Sequence, residues 1–443
     1  MLRRALLALA VLTSSLRPAL SQHADMPGMQ MPAPTSTEAP MTMSASNLID
    51  AQFNHVDSGT SIEPASTPIE MLMSAHEGWM LMLHGAAFIT NTQQSGPRGA
   101  DKLFSTNWIM PMAQRQAGPG QLTLRAMFSL EPATVTDRQY PLLFQQGETA
   151  FGKPIIDGQH PHNFFMELSA LYDIQLGERS LLSLYAAPIG DPAIGPTAYP
   201  HRLSASENPL APLGHHQQDS THIAYNVLTA GLTLDAVRIE ASGFHGGEPS
   251  EQRWGFQPSP NGHAIDSYST RITLSPRPNW TAQYSIAHIT SPEALYPNED
   301  QQRQTASIIY NRPLHNGNWS NTLVWGRTKS LTDHPSKQNS YLLESLIRFR
   351  TRNYAWTRIE NAARTNELLL LPGSPLPPNF EESPIGHVAA YSFGYDHDFH
   401  FIPHLLTAPG AQFTTYTPAS ALVSTYGSHP FGVAIFVRFR IAQ

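Results

Sequence analysis

A period-two alternation of apolar and polar side chains, recurring from Gly78 to the end of the chain, most constrains what this sequence can form. Successive side chains of a β-strand point to opposite faces of the sheet, so the alternation predicts strands with one apolar and one polar face. The last segment shows this best, because Phe431 and Ile435 lie on one side and Arg438 and Arg440 lie on the other. One side suits lipid and the other suits water.

The linkers between the predicted strands alternate between short and long. Tight linkers such as Gly118 and Asp235 follow strands with an even ordinal, whereas long pieces such as 132–162 and 191–217 follow strands with an odd ordinal. Outer-membrane barrels have short turns at one end and longer loops at the other. We therefore predict an all-β fold, a transmembrane antiparallel β-barrel of about 16 strands over residues 78–443, with a water-filled lumen. The predicted strands are 78–93, 102–115, 119–131, 163–176, 179–190, 218–234, 236–246, 264–275, 279–290, 302–312, 317–330, 337–351, 354–367, 385–398, 404–416 and 430–442.

A soluble secreted sandwich or propeller is the alternative fold, since its strands also alternate. Such folds bury the apolar face and lack the rhythm of short and long linkers, so we favour the barrel. Aromatic residues near the predicted strand ends are expected to form girdles at the membrane interfaces, with ordinary core packing as the alternative. These residues are Trp79, Trp108, Trp280, Trp319, Tyr354 and Trp356.

The first residues have the composition of a secretory signal peptide. Arg3 and Arg4 precede an apolar run, and the segment closes with Ala19-Leu20-Ser21, which predicts a signal peptide over residues 1–21. Removing it changes the formal charge of −7 to −10, because three arginines and no acid are lost, and a nucleic-acid partner is not expected. The chain contains no cysteine, which excludes disulfides and thiolate metal sites.

On its signal peptide, strand rhythm and amphipathic last strand, the chain resembles the outer-membrane porin class. The match at the end is imperfect, because Phe439 is followed by Arg440-Ile441-Ala442-Gln443 where that class usually ends in an aromatic residue. The resemblance implies the outer membrane of a diderm bacterium, with outer-membrane lipid and the barrel assembly machinery as partners and a small molecule or ion as solute. The resemblance leaves open whether the protein forms a homotrimer. The segments 157–165 and 214–222 also resemble an uncharacterised bacterial barrel family, which supplies no activity.

Residues 22–77 are predicted to form a flexible, disordered periplasmic arm, because the stretch up to about Pro68 is rich in Pro, Ser, Thr, Ala and Met. Thioethers two or three residues apart on such a chain can wrap a soft ion, and thioethers select Cu(I). The candidate ligands are His23, Met26, Met29, Met31, Met41 and Met43. Their composition resembles the leaders of outer-membrane copper-resistance proteins of the B type, which implies a copper ion as cofactor. The alternative is a low-complexity arm in which methionine is incidental.

Histidines cluster in two of the predicted external loops. His160 and His162 lie in one loop, and His215 and His216 lie in the next. Imidazoles this close in sequence can share one metal ion, and Asp157 could add a hard ligand. The alternative, which we favour, is that these side chains pin the long loops into the lumen through hydrogen bonds.

Charged residues on the inward faces of the strands predict the electrostatics of the lumen. An arginine ring in the periplasmic half would attract anions, and glutamates could supply a transverse field. The alternative is that these residues pair with each other and brace the wall, which we expect for most of them. They are Arg125, Arg238, Arg271, Arg348, Arg350, Arg438, Arg440, Glu167 and Glu344.

We therefore predict an outer-membrane channel for small solutes that handles copper or another metal ion and is not an enzyme. A hydrolase at the barrel rim is one alternative, since Asp219, Ser220 and His222 supply the residue types of a catalytic triad. They are too close in sequence to converge on one point, and no G-x-S-x-G motif is present. A structural or adhesion barrel with a plugged lumen is the other alternative.

Overall fold

The computed structural model describes residues 45–54, 57–219, 224–256, 262–332 and 336–442. The predicted signal peptide and the proposed copper ligands from His23 to Met43 lie outside the described residues. In chain order the strands are β1 (Leu72–His76), β2 (Trp79–Gln94), β3 (Asp101–Ala117), β4 (Gly120–Phe128), β5 (Tyr140–Pro141), β6 (Thr149–Ala150), β7 (Lys153–Pro154), β8 (Gly158–Gln159), β9 (Phe165–Gly177), β10 (Ser180–Gly190), β11 (Ala224–Leu234), β12 (Val237–His245), β13 (Ser267–Arg277), β14 (Trp280–Ile289), β15 (Gln301–Leu314), β16 (Gly317–Ser330), β17 (Lys337–Phe349), β18 (Asn353–Thr365), β19 (Pro384–His397), β20 (Phe399–Ile402), β21 (Leu405–Thr417) and β22 (Phe431–Ile441).

Sixteen of these strands form one closed antiparallel barrel, which comprises all of them except β1, β5 to β8 and β20. Strand β2 closes the barrel because it pairs with β3 on one side and with β22 on the other, from Ala86 opposite Arg440 to Gln94 opposite Gly432. Strand β1 pairs with the first residues of β2, before the part of β2 that pairs with β22; Leu72, for example, lies opposite Leu83. The predicted fold class and the predicted number of strands are confirmed.

The helices of the described residues are short. They are α1 (Leu48–Phe53), α2 (Glu131–Thr134), α3 (His215–Gln218) and α4 (Val423–Tyr426), with 3-10 turns at Thr136–Arg138, Leu203–Ala205, Asn366–Leu369 and Ser420–Leu422. Helix α1 begins at the N-cap residue Asn47, whose side chain accepts a hydrogen bond from the Asp50 backbone N–H. None of these helices is long and apolar enough to cross a membrane.

The alternation read from the sequence separates the two faces of the barrel wall. In β22 the outward Ile435 is 61% exposed, whereas the inward Ala434 and Arg438 are buried. The aromatic prediction is only partly right. Trp79, Trp280 and Trp319 fall on the outer face, but the Trp108, Tyr354 and Trp356 side chains face the interior. Side chains alternate between the two faces of a strand, and these three lie an even number of residues from most of the buried residues of their strands, so they share the inward face.

The interior of the barrel is filled by protein rather than by an open channel. We call residues 57–71 the inner segment and residues 191–219 the inner loop. Residues 57–65 are all buried, and Ser66 Oγ donates to the Asn311 carbonyl oxygen at 3.0 Å on the inner wall. This differs from the expectation of a flexible periplasmic arm up to residue 77, because residues 57–71 insert into the lumen and residues 72–76 form β1.

Candidate functional site

The lumen is occupied along its length by the inner segment and the inner loop. Side chains that would face water in an open pore are covered, since Thr305 and Asn311 are 0% exposed and Glu344 is 1% exposed. An empty sixteen-stranded barrel would leave these side chains wet. The inner segment and the inner loop are held in place by contacts with the barrel wall.

Arg125 and Arg271 bind the inner segment to the barrel wall. The Arg125 guanidinium donates to the backbone carbonyl oxygens of Asp57 and Gly59 and pairs with the Glu167 carboxylate at 3.0 Å. Arg271 donates to Thr60 Oγ1 at 2.9 Å. Because a guanidinium carries five donors in a fixed fork, one side chain can serve both the wall and the inserted backbone.

A second set of contacts lies where the inner segment leaves the lumen. Glu70 accepts from Arg348 at 2.5 Å and lies 3.6 Å from an Arg440 nitrogen. Arg440 also contacts Glu207 of the inner loop, and Glu207 lies 2.5 Å from Arg438. The inner segment and the inner loop are thus attached to the same group of arginines.

The inner loop is held to the barrel wall by a cluster of four charged side chains. The Glu344 carboxylate accepts from Arg202 Nε at 2.8 Å and from Arg358 Nε at 2.9 Å, and Arg202 also donates to Asp219 at 3.1 Å. All four side chains are buried. Asp219, a member of the triad considered above, is therefore engaged in an ion pair, while Ser220 and His222 lie outside the described residues.

The predicted lumenal charges face the interior with one exception. Arg238 lies 3.2 Å from Glu240, and Arg271 lies 2.9 Å from the same carboxylate, so each positive charge has a partner and the bracing interpretation gains support. Arg350 is the exception, because β17 ends at Phe349 and Arg350 is exposed in the following turn with a φ of 49°. The prediction that Arg350 lines the lumen is corrected accordingly. Ion selectivity stays a prediction.

Three of the four predicted loop histidines come together. The ring nitrogens offered by His160, His215 and His216 all lie within 4.8 Å of one another. His162 does not join them, since its Nδ1 atom lies 2.9 Å from a Glu131 carboxylate oxygen. His160 follows β8 and the other two open α3, so the site joins the two long loops that fold inward.

The surroundings of the three-histidine cluster prepare the imidazoles as ligands. Nδ1 of His160 donates to the Pro161 carbonyl oxygen and Nδ1 of His215 donates to the Pro212 carbonyl oxygen, both at 2.9 Å, which fixes the orientation of both rings. Burial lowers the pKa of His215 to about 3 and holds the pKa values of His160 and His216 well below the usual range. The neutral imidazole that a metal ion requires is therefore the stable form at neutral pH.

The sequence analysis missed further interior residues. Arg358 and Arg364 share the inward parity of β18, so alternation alone could have found them, whereas nothing local identifies Arg202 or Glu207 in the inner loop. The methionines of β2 to β4 also belong to the inner wall. They form a buried cluster that includes Met82, Met110, Met112 and Met127.

Comparison with known structures identifies the architecture. The anion-selective porin from Comamonas acidovorans matches with a TM-score of 0.51 and 11% sequence identity, over 82% of this chain and 100% of that chain. The high-pH structure of OprB from Pseudomonas putida matches with a TM-score of 0.50 and 10% identity, over 83% of this chain and 94% of that chain. No protein-family model matches the chain, and no curated protein does. The chain therefore has the fold of the bacterial outer-membrane porins, a closed antiparallel barrel of sixteen strands.

Proposed function

We propose that this protein is an outer-membrane channel for small solutes and that the inner segment gates its lumen. The observation that carries the proposal is the nature of the contacts around that segment. Arg125, Arg271 and Asn311 hold it through hydrogen bonds to its backbone and to short polar side chains. Such contacts can be exchanged for water, and the apolar side chains that the segment buries are few, chiefly Ile62, Ala65 and Met71.

The position of the inner segment in the chain supports the same role. Residues 57–71 precede β1, so their release breaks no pairing between the sixteen barrel strands. The long loops are attached differently, because Tyr140, Phe144 and Leu213 belong to a buried apolar cluster with the barrel wall. We infer that the loops form a fixed constriction and that the inner segment is the removable part.

The outer face supports a location in a lipid bilayer. Leu323 on β16, Phe393 on β19 and Ile435 on β22 are more than half exposed, which would be costly in water and is expected in hydrocarbon. An outer-membrane location, export by the predicted signal peptide and assembly as a homotrimer belong to this proposal. The rim hydrolase and the purely structural barrel are the competing functions.

Conductance in planar bilayers tests the gate. We expect the full chain to show small or infrequent current steps and a variant without residues 45–70 to show larger and longer ones, because water and ions replace the inner segment. A variant that lacks only residues 22–44 is the matched control and should behave as the full chain. If the deletion variant folds, as judged by its heat-modifiable migration on a gel, and conducts no better than the full chain, the inner segment is not the gate.

We further propose that the three-histidine cluster binds a transition-metal ion such as Zn(II) or Cu(II). Support comes from three convergent imidazoles and from the Glu148 carboxylate, which lies 3.2 Å from His160 Nε2 and could add an oxygen ligand. Copper binding by the arm residues His23, Met26, Met29, Met31, Met41 and Met43 stays a separate prediction.

Calorimetric titration of the purified barrel with Zn(II) and with Cu(II) tests the three-histidine site. The chain used lacks residues 22–44, so that arm residues cannot contribute. We expect His215→Ala to weaken binding by at least about tenfold, whereas His162→Ala should leave the affinity unchanged because His162 lies outside the cluster. Equal affinity in the His215→Ala variant and the parent would show that these histidines only pin the loops.

A further inference from the structure

Every methionine of the sequence beyond Met43 lies in one cluster on the inner wall, beside two histidines. The cluster is buried where strands β2, β3, β4 and β9 meet the end of the inner segment. We call it the methionine–histidine cluster, and its members are Met71, Met73, Met80, Met82, Met110, Met112, Met127, Met166, Trp108, His84 and His201.

The donor atoms of this cluster converge. His201 Nε2 lies 3.0 Å from Met127 Sδ, and the rings of His84 and His201 are 5.8 Å apart between centroids. Met110 is the partner of His84 across the β2–β3 pair, which places another thioether beside that imidazole. Three adjacent strands and the inner loop thus bring soft sulfur and nitrogen donors to one place.

His84 shows that the cluster is more than an apolar core. Its side chain is 8% exposed, and its Nε2 atom has no hydrogen-bond partner among the described residues. Leaving a buried polar atom unsatisfied is costly, and methionine packing alone gives no reason to place an imidazole there. Trp108 packs against both imidazoles, with its ring centroid 4.9 Å from that of His84 and 4.4 Å from that of His201.

We propose that the methionine–histidine cluster is a binding site for a soft monovalent cation, Cu(I) in chemical class, with His84 Nε2, His201 Nε2 and Met127 Sδ as ligands. Thioethers select such ions, and imidazole accepts them. None of the residues that form the cluster carries a carboxylate, so the site offers only neutral donors. The guanidinium of Arg125 lies nearby, opposite Met112 in the β3–β4 pair. A buried site with neutral ligands and a positive charge nearby disfavours a divalent cation more strongly than a monovalent one.

An ion can reach this site from the side of the inner segment. A cavity of about 140 Å³ lies between the inner segment and the wall, and His84 and His201 line it together with Glu63 and Glu70. Arg348 and Arg440 also line the cavity and pair with Glu70, so the entrance carries both signs of charge. The proposal requires neither a metal at the three-histidine cluster nor a gating role for the inner segment.

Titration of the folded chain with Ag(I), a redox-inert probe for Cu(I), tests the proposal. The chain carries methyl-¹³C methionine, and Met26, Met29, Met31, Met41 and Met43 are replaced by Leu so that only the cluster reports. We expect one equivalent of Ag(I) to shift the methyl signal of Met127, which is assigned as the signal missing from the Met127→Leu variant. Zn(II) should leave that signal in place.

Competition with a Cu(I) chelator under reducing conditions supplies the affinities. We expect Met127→Leu and His84→Leu each to lower Cu(I) affinity by at least about tenfold. Each substitution removes one donor atom, because leucine fills nearly the same volume as the side chain it replaces but cannot bind a metal ion. Met73→Leu, at the partly buried edge of the cluster, is the matched control and should change the affinity little. A variant without His160, His215 and His216 should keep the Ag(I) response, which separates this site from the three-histidine cluster.

The proposal is overturned if no methyl signal between Met71 and Met166 moves on addition of Ag(I). Since that result needs only the parent chain, it holds even if a substituted variant fails to fold. Unchanged Cu(I) affinity in folded Met127→Leu and His84→Leu variants would overturn the proposal as well, and would leave the cluster as packing.

Discussion

Individual charged residues of the lumen act as braces between inserted backbone and barrel wall. Each of Arg125, Arg202 and Arg438 contacts both a carboxylate and a group on another element. Burying a lone charge is far more costly than burying a matched pair, so the partners are energetically interdependent. Removing one partner should therefore do more harm than the pair contributes in total.

Glu344 offers the sharpest test of this interdependence, because its one carboxylate pairs with the Nε atoms of both Arg202 and Arg358. We expect Glu344→Gln to destabilise the barrel by roughly 3–5 kcal/mol, the usual cost of breaking a buried pair. The temperature at which the compact form is lost on a heat-modifiability gel measures the effect.

Asp235→Asn is the matched control for Glu344→Gln. Asp235 pairs with Arg179 at 4.0 Å in a turn where both side chains are largely exposed, so little change is expected. If both substitutions lowered the transition temperature equally, burial would not be what makes the lumenal pairs important.

The inner segment is the element whose stability should depend on pH. Burial raises the pKa of Asp57 to about 7 against the opposing effect of Arg125. Burial and the neighbouring Asp57 raise the pKa of Glu63 to about 8, and Arg202 opposes this. Once released into water these carboxyls would titrate near pH 4. The inserted form therefore binds more protons than the released form between about pH 4 and pH 8.

It follows that the inserted form is favoured below about pH 4 and loses this advantage as pH rises through the two raised pKa values. We expect channel conductance to increase between about pH 4 and about pH 8 and to level off above it. The Asp57→Asn/Glu63→Gln variant should lose the dependence, since it stays neutral throughout. A conductance that falls over this range in the parent chain would contradict the assignment.

The barrel strands could be predicted from the sequence because each has one face on the interior and one on the exterior. That contrast repeats every two residues, and it located strands such as β16 and β22 within a residue or two. The face of a Trp is less certain, since aromatic residues suit both the membrane interface and the packed lumen. Trp108 and Trp356 illustrate this.

The occupied lumen could not be predicted, because it depends on partners far apart in the chain. The inner segment has the polar, proline-containing composition of a linker, and its order comes from Arg125 and Arg271, which follow much later. The metal candidate shows the same limit. His160 pairs with His215 and His216 of another loop rather than with His162, its neighbour in sequence.

At the scale of the whole molecule, the two ends of the barrel differ. Strands are joined by short turns such as 315–316 at one end and by long connections such as 366–383 at the other. Outer-membrane barrels keep the short turns in the periplasm. The inner segment leaves the lumen at the short-turn end, because it continues into β1 and the turn before β2.

Epitope tags test this orientation. A tag at Pro372, exposed in the 366–383 connection, should be reached by antibody on intact cells, whereas a tag at Asn316 should be reached only after lysis. The temperature shift of each tagged barrel on a gel shows that it still folds. Accessibility in the opposite order would invert the proposed orientation.

The seam between β2 and β22 has a consequence for the order of events during assembly. Strand β22 is the last strand of the chain, so the cylinder cannot shut until the final residues have been delivered. The inner segment precedes all sixteen barrel strands, so under the export proposed above it would be delivered before the cylinder closes. We expect the wall to close around the inserted segment, so that opening of the lumen is a separate step that follows assembly.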